Sequence, residues 1–307
     1  MQFEVAVQMY WLEKRRNVSD CTVADYTVTF RRFGEFVKGK EIEAVTANDV
    51  RKFLTHIERE YDLGKKTVCN AWVALSSFWT WAKGELEIEH VIHGKIERPQ
   101  FRKPQIEAYA EDEARALLAA CEFAAGWNTK TGKATKSRKP DALRDVAAIF
   151  VLLDSGVRAS ELTEFKVQDY AENQGRLMVE HGKGDKSRVV FLGQKARRAL
   201  RAYLKTRPGA KLGQPLFVTR SGEALGRSEL LHMIQRTAKR AGVVKANVHK
   251  FRHTFAINFL RNGGGVLQLQ ELLGHEKLDT VNIYVKLAEI DLAGAQRQAS
   301  PADNWRL

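Results

Sequence analysis

The residues of this chain whose types and spacing could do chemistry gather between Val248 and Tyr284. His249, Lys250, Phe251, Arg252 and His253 run consecutively; Leu273, Gly274 and His275 follow; Tyr284 comes nine positions after His275. Tyr284 is the only tyrosine after Tyr203, so the segment offers one hydroxyl nucleophile beside histidines and an arginine. That set suits phosphoryl transfer without a metal. A phosphodiester is a poor electrophile because its anionic oxygens repel a nucleophile, and the charge of the transition state must be held by fixed donors. Arginine stays charged and presents a forked pair of donors to two oxygens. A phenol with an ordinary pKa near 10 is a weak nucleophile at neutral pH, so it needs a base and cationic surroundings.

Two upstream runs extend the pattern. Arg158 lies in Ser155, Gly156, Val157, Arg158, Ala159, Ser160, Glu161; Lys183 lies in Gly182, Lys183, Gly184, Asp185, Lys186, Ser187, Arg188. The order Arg, Lys, His-x-x-Arg, His, Tyr, with the step from His275 to Tyr284, resembles the tyrosine recombinase, or phage integrase, family over about half of the chain. Among its members the shorter, Xer-like or mobile-element integrases are the nearest in kind. The resemblance assigns Arg158 and Arg252 to the scissile phosphate and makes Lys183 the acid for the leaving 5′ oxygen, with Lys186 as its competitor. His249 and His275 would hydrogen-bond the phosphate, His249 also serving as base, and Tyr284 would be the nucleophile. Glu161 resembles the acidic residue that supports the site, and a plain glutamate at a helix start is the other reading. Attack would leave a 3′-phosphotyrosyl bond and a free 5′ hydroxyl, which a second strand can reverse with neither ATP nor metal.

The same resemblance implies a mainly α fold with a small antiparallel β-sheet in the C-terminal domain, forming a two-domain clamp on double-stranded DNA. It also implies a homotetramer on paired sites, with accessory DNA-bending or directionality proteins, and no cofactor. A type IB topoisomerase would use nearly the same residues, and a DNA-binding protein without activity would need a broken set. His249 and His253, four apart, could share a helix face as zinc ligands do, but Lys250 stands where the His-Glu-x-x-His motif has its glutamate, which argues against zinc.

These residues need elements to position them. Residues 1–93 read as an N-terminal helical, SAM-like DNA-binding domain. Val5, Met9 and Leu12 fall at helical spacing; a helix from Thr22 puts Tyr26, Phe30 and Phe33 on one side; Thr46 to Asp49 reads as a capped start; Lys65 to Trp81 supplies a fourth helix. Trp72, Phe78, Trp79 and Trp81 could stack bases, but no basic residues interleave with them, which favours core packing. Residues 94–107 read as a basic linker: Pro99 and Pro104 favour extended chain, and Arg98, Arg102 and Lys103 could follow a DNA backbone.

Residues 108–307 would be the catalytic domain. A helix from Glu111 to Glu122 precedes a loop in which Lys130, Lys133, Lys136, Arg138 and Lys139 meet no anion, either solvated or on DNA phosphate. An apolar helix from Asp141 to Asp154 stops at Gly156 and delivers Arg158. Gly175 to His181 and Ser187 to Leu192 read as a hairpin with Lys183 at its tip and Lys186 and Arg188 available to DNA; Pro215 to Thr219 reads as a further strand, and Ser228 as a helix cap. Asp279 and Thr280 would cap the helix of Tyr284, with Val281, Ile283, Val285 and Leu287 packed around it. Ile290, Leu292 and Trp305 could dock a terminal helix in cis or on a neighbour.

Bulk composition agrees with a nucleic-acid partner. The chain has 307 residues, 50 Lys and Arg against 37 Asp and Glu, and a formal charge of +13, which calls for a polyanion. No apolar run approaches a membrane span, and the start lacks the order of a secretory signal, so a cytoplasmic, nucleoid-associated protein is expected. Cys21, Cys69 and Cys121 are widely spaced and odd in number, which argues against disulfides and zinc knuckles.

Overall fold

A computed structural model of the chain describes residues 1–102, 105–122, 127–128, 134–135, 140–180, 187–275 and 278–288, and the single positions 296, 300 and 302. Among them no helix is long and apolar enough to cross a membrane. The chain divides into two compact units, Met1–Pro104 and Gln105–Leu307.

The first unit consists of helices α1 (Phe3–Lys14), α2 (Asp20–Phe36), α3 (Ala47–Glu60) and α4 (Lys65–Glu85). Their starts are written in side chains: the Ser19 hydroxyl accepts from the Thr22 amide, and Thr46 and Asp49 form a reciprocal capping box ahead of α3. The core is aromatic. Phe3, Tyr10, Phe30, Phe33, Phe53, Phe78 and Trp79 are fully buried or nearly so, with rings meeting mostly edge to face, as at Phe33 and Trp79 with 5.6 Å between centroids. Trp81 is buried as well, its indole N–H donating to Glu13 at 2.7 Å, and Trp72 is partly buried against the same cluster. Helix α1 turns a different stripe inward from the one its spacing suggests. Phe3, Ala6 and Tyr10 are buried, whereas Val5, Met9 and Leu12 are exposed, Leu12 by 82%. The helix is apolar on more than one side, so periodicity shows a helix without showing its inner face; the bulk of two aromatic rings seven positions apart decides it.

The second unit starts with α5 (Glu111–Glu122) and a short antiparallel pair, β1 (Trp127–Asn128) and β2 (Ala134–Thr135), inside the stretch read from sequence as a loop. Then come α6 (Ala142–Ser155), α7 (Ala159–Glu164), β3 (Tyr170–Ala171), β4 (Arg176–Val179), β5 (Arg188–Phe191), α8 (Gln194–Leu204), α9 (Arg227–Ala241), α10 (Val248–Arg261), α11 (Val266–Leu273) and α12 (Asp279–Ala288). The sheet is antiparallel in the order β3-β4-β5, with Leu177 and Val190 paired and buried. Helix α6 is the spine: Ala147, Ala148, Ile149, Val151 and Leu152 are fully buried, and α5, α8 and α10 pack around it.

Three local readings change. Pro215 to Thr219 is no strand: Leu216 and Phe217 are buried, but pairing is limited to isolated bridges at Lys166–Pro215 and Val218–Ala224, as fits a segment opened by a residue without an N–H to donate. The third strand is β3 instead. The cap of α9 is Gly226, with Ser228 inside the first turn. On α12, Val281 is buried but Ile283 is 43% exposed, and the Leu278 carbonyl receives the first amides of the helix.

Candidate active site

Arg158 stands directly before α7, and its position depends on Gly156. That glycine ends α6 in the left-handed conformation at φ +62°, and a Cβ there would lie 2.4 Å from the Phe255 ring, so only glycine fits. Its carbonyl accepts from the Arg252 guanidinium at 2.8 Å. One tight turn therefore both aims Arg158 and seats Arg252.

Arg252 is only 3% exposed on α10, a helix capped by the Asn247 side chain. Besides Gly156 it donates to the Leu273 carbonyl at 2.6 Å and to His275 Nε2 at 2.8 Å. A guanidinium has no lone pair to offer, so Nε2 of His275 is the acceptor and the ring proton of the neutral tautomer sits on Nδ1. Burial, reinforced by the charge of Arg158, pushes the Arg252 pKa down to about 10, which still leaves it cationic at neutral pH. His275 itself follows the left-handed Gly274 at the end of α11.

Glu161 holds the other side. Its carboxylate, 5% exposed, accepts from the Arg158 backbone N–H at 2.7 Å, from the Arg158 side chain at 2.7 Å, and from both terminal nitrogens of Arg188 at 2.9 and 2.8 Å. Burial alone would raise the carboxyl pKa, but the hydrogen bonds from Arg188 and Arg158 outweigh it and hold Glu161 at about 2. Arg188 also donates through Nε to the Leu272 carbonyl at 2.8 Å and is itself 9% exposed. Arg188, expected at DNA, turns its guanidinium inward in this structure and ties β5 to α7 and to the end of α11.

Tyr284, 5% exposed on α12, places its hydroxyl 2.9 Å from Nδ1 of His253. His253 in turn stacks on His249, with centroids 6.2 Å apart and planes 21° from parallel. Burial raises the Tyr284 phenol, against the pull of Arg252 and then Arg158. Burial lowers both imidazoles, His249 further through the charges of Arg252, Arg158 and Arg227, and His253 through His249 and Arg252. Both rings are thus neutral at pH 7 and able to accept a proton. The sequence reading named His249 as the base, yet His253 is the ring in contact with the phenol. The four-residue step from His249 to His253 is the sequence signal of this shared helix face. Among the described residues no three His, Cys, Asp or Glu side chains gather as a metal-ligating group would.

Other sites called from sequence fall elsewhere. Arg98 and Arg102 are exposed, with Arg98 Nε 3.2 Å from Cys69 Sγ. Lys103, Lys183 and Lys186 lie outside the described residues, as do Ile290, Leu292 and Trp305.

Residues 109–290, more than half of the chain and all of the site just described, match the phage integrase family. The chain belongs to the phage integrase family. Residues 9–88 match the N-terminal SAM-like domain of phage integrases. A tyrosine recombinase XerC of Pelobacter propionicus is 30% identical over 297 residues, 94% of this chain and 92% of its own length. A tyrosine recombinase XerC of Leptospira interrogans is 26% identical over 95% of this chain and 91% of its own. Among solved structures, the XerH site-specific recombinase bound to palindromic difH substrate has a TM-score of 0.70 at 21% identity, covering 95% of this chain and 82% of that one. A lambda integrase dimer bound to a COC′ core site has a TM-score of 0.72 at 16% identity, covering 92% and 95%. These two show the shared fold. Membership in the integrase family makes the protein a tyrosine-type site-specific DNA recombinase, an enzyme that breaks and rejoins DNA.

Proposed function

We propose that Tyr284 is the nucleophile of strand exchange on double-stranded DNA. Its oxygen attacks the scissile phosphorus; the P–O5′ bond breaks; the phenol proton passes to an imidazole and Lys183 supplies a proton to the leaving 5′ oxygen. Arg158 and Arg252 hold the non-bridging oxygens, His249 and His275 hydrogen-bond them, and Glu161 keeps Arg158 in place. The observation that carries this reading is the Tyr284 hydroxyl, bonded to a neutral histidine and within electrostatic reach of Arg252 and Arg158. Fixed cations there supply the charge stabilisation that the anionic transition state requires.

The wider reading follows from the same chemistry. Residues 1–93 serve as the core-binding domain, residues 94–107 as a basic linker, with Arg98, Arg102 and Lys103 on the DNA backbone, and residues 108–307 as the catalytic domain. Lys186 is the second lysine beside Lys183 able to reach DNA. The net charge of +13 supports a polyanionic partner, and the neighbouring structures with difH and COC′ DNA support duplex DNA as that partner. The active assembly is a homotetramer on paired sites, joined by accessory DNA-bending or directionality proteins, acting in the cytoplasm at the nucleoid in the service of a mobile element or of Xer-like recombination.

The test is covalent trapping on nicked duplexes, read on denaturing gels without added metal. Wild-type protein forms a protein–DNA adduct and Tyr284→Phe forms none. An adduct from the variant would reassign the nucleophile.

A further inference from the structure

The hydroxyl of Tyr284 has to be aimed as well as activated. A phenol on a helix turns about its side-chain torsions, and the neighbouring Val281 and Val285 on α12 offer it no polar atom. The group that meets the hydroxyl comes from α10. We propose that His253 is a positioning residue, holding the Tyr284 hydroxyl through Nδ1 and so fixing the nucleophile against the Arg252–His275 cluster. This inference rests on the assignment of Tyr284 as nucleophile.

Three observations carry it. The Nδ1–Oη distance of 2.9 Å joins residues 31 positions apart in sequence on two helices, α10 and α12, that pack directly on each other. The His253 ring is itself fixed, stacked on His249 one helical turn earlier and tilted 46° to the tyrosine ring at a centroid distance of 5.7 Å. The adjacent residue, Arg252, gives three of the five N–H donors of its guanidinium to the Gly156 and Leu273 carbonyls and to His275, which fixes it and leaves two for a phosphate. Consecutive positions on one helix thus set the two partners of the reaction: Arg252 orders the phosphate side and His253 the hydroxyl side. Any slip of α12 relative to α10 is registered at that hydrogen bond.

A neutral imidazole suits this role. A phenol donates better than it accepts, so Nδ1 takes the hydroxyl proton in the hydrogen bond and directs an oxygen lone pair away from His253. An imidazolium would instead donate to the oxygen and occupy the lone pair needed for attack. Burial first, then the stacked His249 ring and the charge of Arg252 on the same helix, disfavour a proton on His253.

The experiment uses the full chain and a pool of nicked duplexes of randomised sequence, first enriched by trapping with wild-type protein. Adduct formation on the enriched pool is then timed for His253→Phe and His253→Asn, with Tyr284→Phe as the blank. Phenylalanine keeps the ring and removes the acceptor; asparagine places an amide atom where Nδ1 lay and has no useful basicity. Misaiming the nucleophile predicts a rate about 100-fold lower for His253→Phe with binding of the same duplexes unchanged, and recovery to within about fivefold for His253→Asn. A His253→Phe rate equal to wild type overturns the inference and leaves Tyr284 standing. A His253→Asn rate as low as that of His253→Phe also overturns it, since the imidazole would then act as a base. Histidine nitrogen NMR without DNA gives a second reading: the Nδ1 resonance of His253 shifts in Tyr284→Phe, and an unmoved signal shows that the contact is absent. Failure of the wild type to form any adduct would overturn the nucleophile assignment itself.

Discussion

The aromatic interior of the first unit and the charged cluster of the second are both largely buried, and they are held by opposite means. Phe3, Phe33, Phe78 and Trp79 are buried among one another, and each ring gains simply by leaving water, so the cluster lowers the free energy of the fold. Glu161 and Arg252 are buried as charges and Arg188 is partly so, and taking an ion out of water costs several kcal/mol that its partners only repay in part. A set of buried charges of this kind is poor economy for stability. What it supplies is fixed direction: Arg252 is locked by carbonyls and Arg158 by the Glu161 carboxylate that Arg188 also holds, so their remaining donors need no rearrangement when a phosphate arrives. Changes in the first region should therefore be felt in folding, and changes in the second in chemistry.

The contrast is sharpest at Tyr284. Tyr284→Phe is expected to remove adduct formation entirely while moving the unfolding free energy by only about 1 kcal/mol, the worth of one hydrogen bond; a large loss of stability would break the contrast. Arg252→Met comes next. Its adduct rate should fall by about 1,000-fold, and denaturant unfolding should change by less than about 2 kcal/mol because a desolvated charge has been removed along with its bonds. Trp79→Ala tests the opposite side: it should cost about 3–5 kcal/mol in the same unfolding measurement and leave adduct chemistry intact well below the new midpoint.

Acid sharpens the comparison further. Glu161 titrates at about 2 in the folded protein, below its ordinary value of about 4.5, so its contribution to stability is fully present above that ordinary value and is lost as pH falls from there toward 2. The linkage amounts to about 3 kcal/mol, and Glu161→Gln should flatten the stability profile over that range of pH. The smallest effect belongs to the outward stripe of α1: Leu12→Ser should shift unfolding by less than about 0.5 kcal/mol, and a larger loss would mean that this face is covered.

Much of the fold was legible because local chemistry and tertiary structure agree. The Thr46–Asp49 box starts α3, Gly156 stops α6, and the two apolar runs around Leu177 and Val190 pair as antiparallel strands. Where they part, a neighbour decided. Val5, Met9 and Leu12 have the spacing of a buried face, yet Phe3 and Tyr10 fill the space between α2 and α4. Pro215 to Thr219 is apolar enough for a strand, but it has only single bridges to pair with. Arg188 looks like a DNA contact beside Lys183 and Lys186, and the carboxylate that claims it lies 27 positions away.

By itself the sequence determined which side chains could carry phosphoryl transfer and where helices such as α3 begin and α6 ends, since residue type, order and short-range periodicity are local properties. Tertiary structure alone decided that His253 meets Tyr284, that Arg188 serves Glu161, and that His275 accepts from Arg252. Those choices depend on side chains from separate helices and strands competing for the same few buried donors and acceptors, and that competition exists only once the elements have packed.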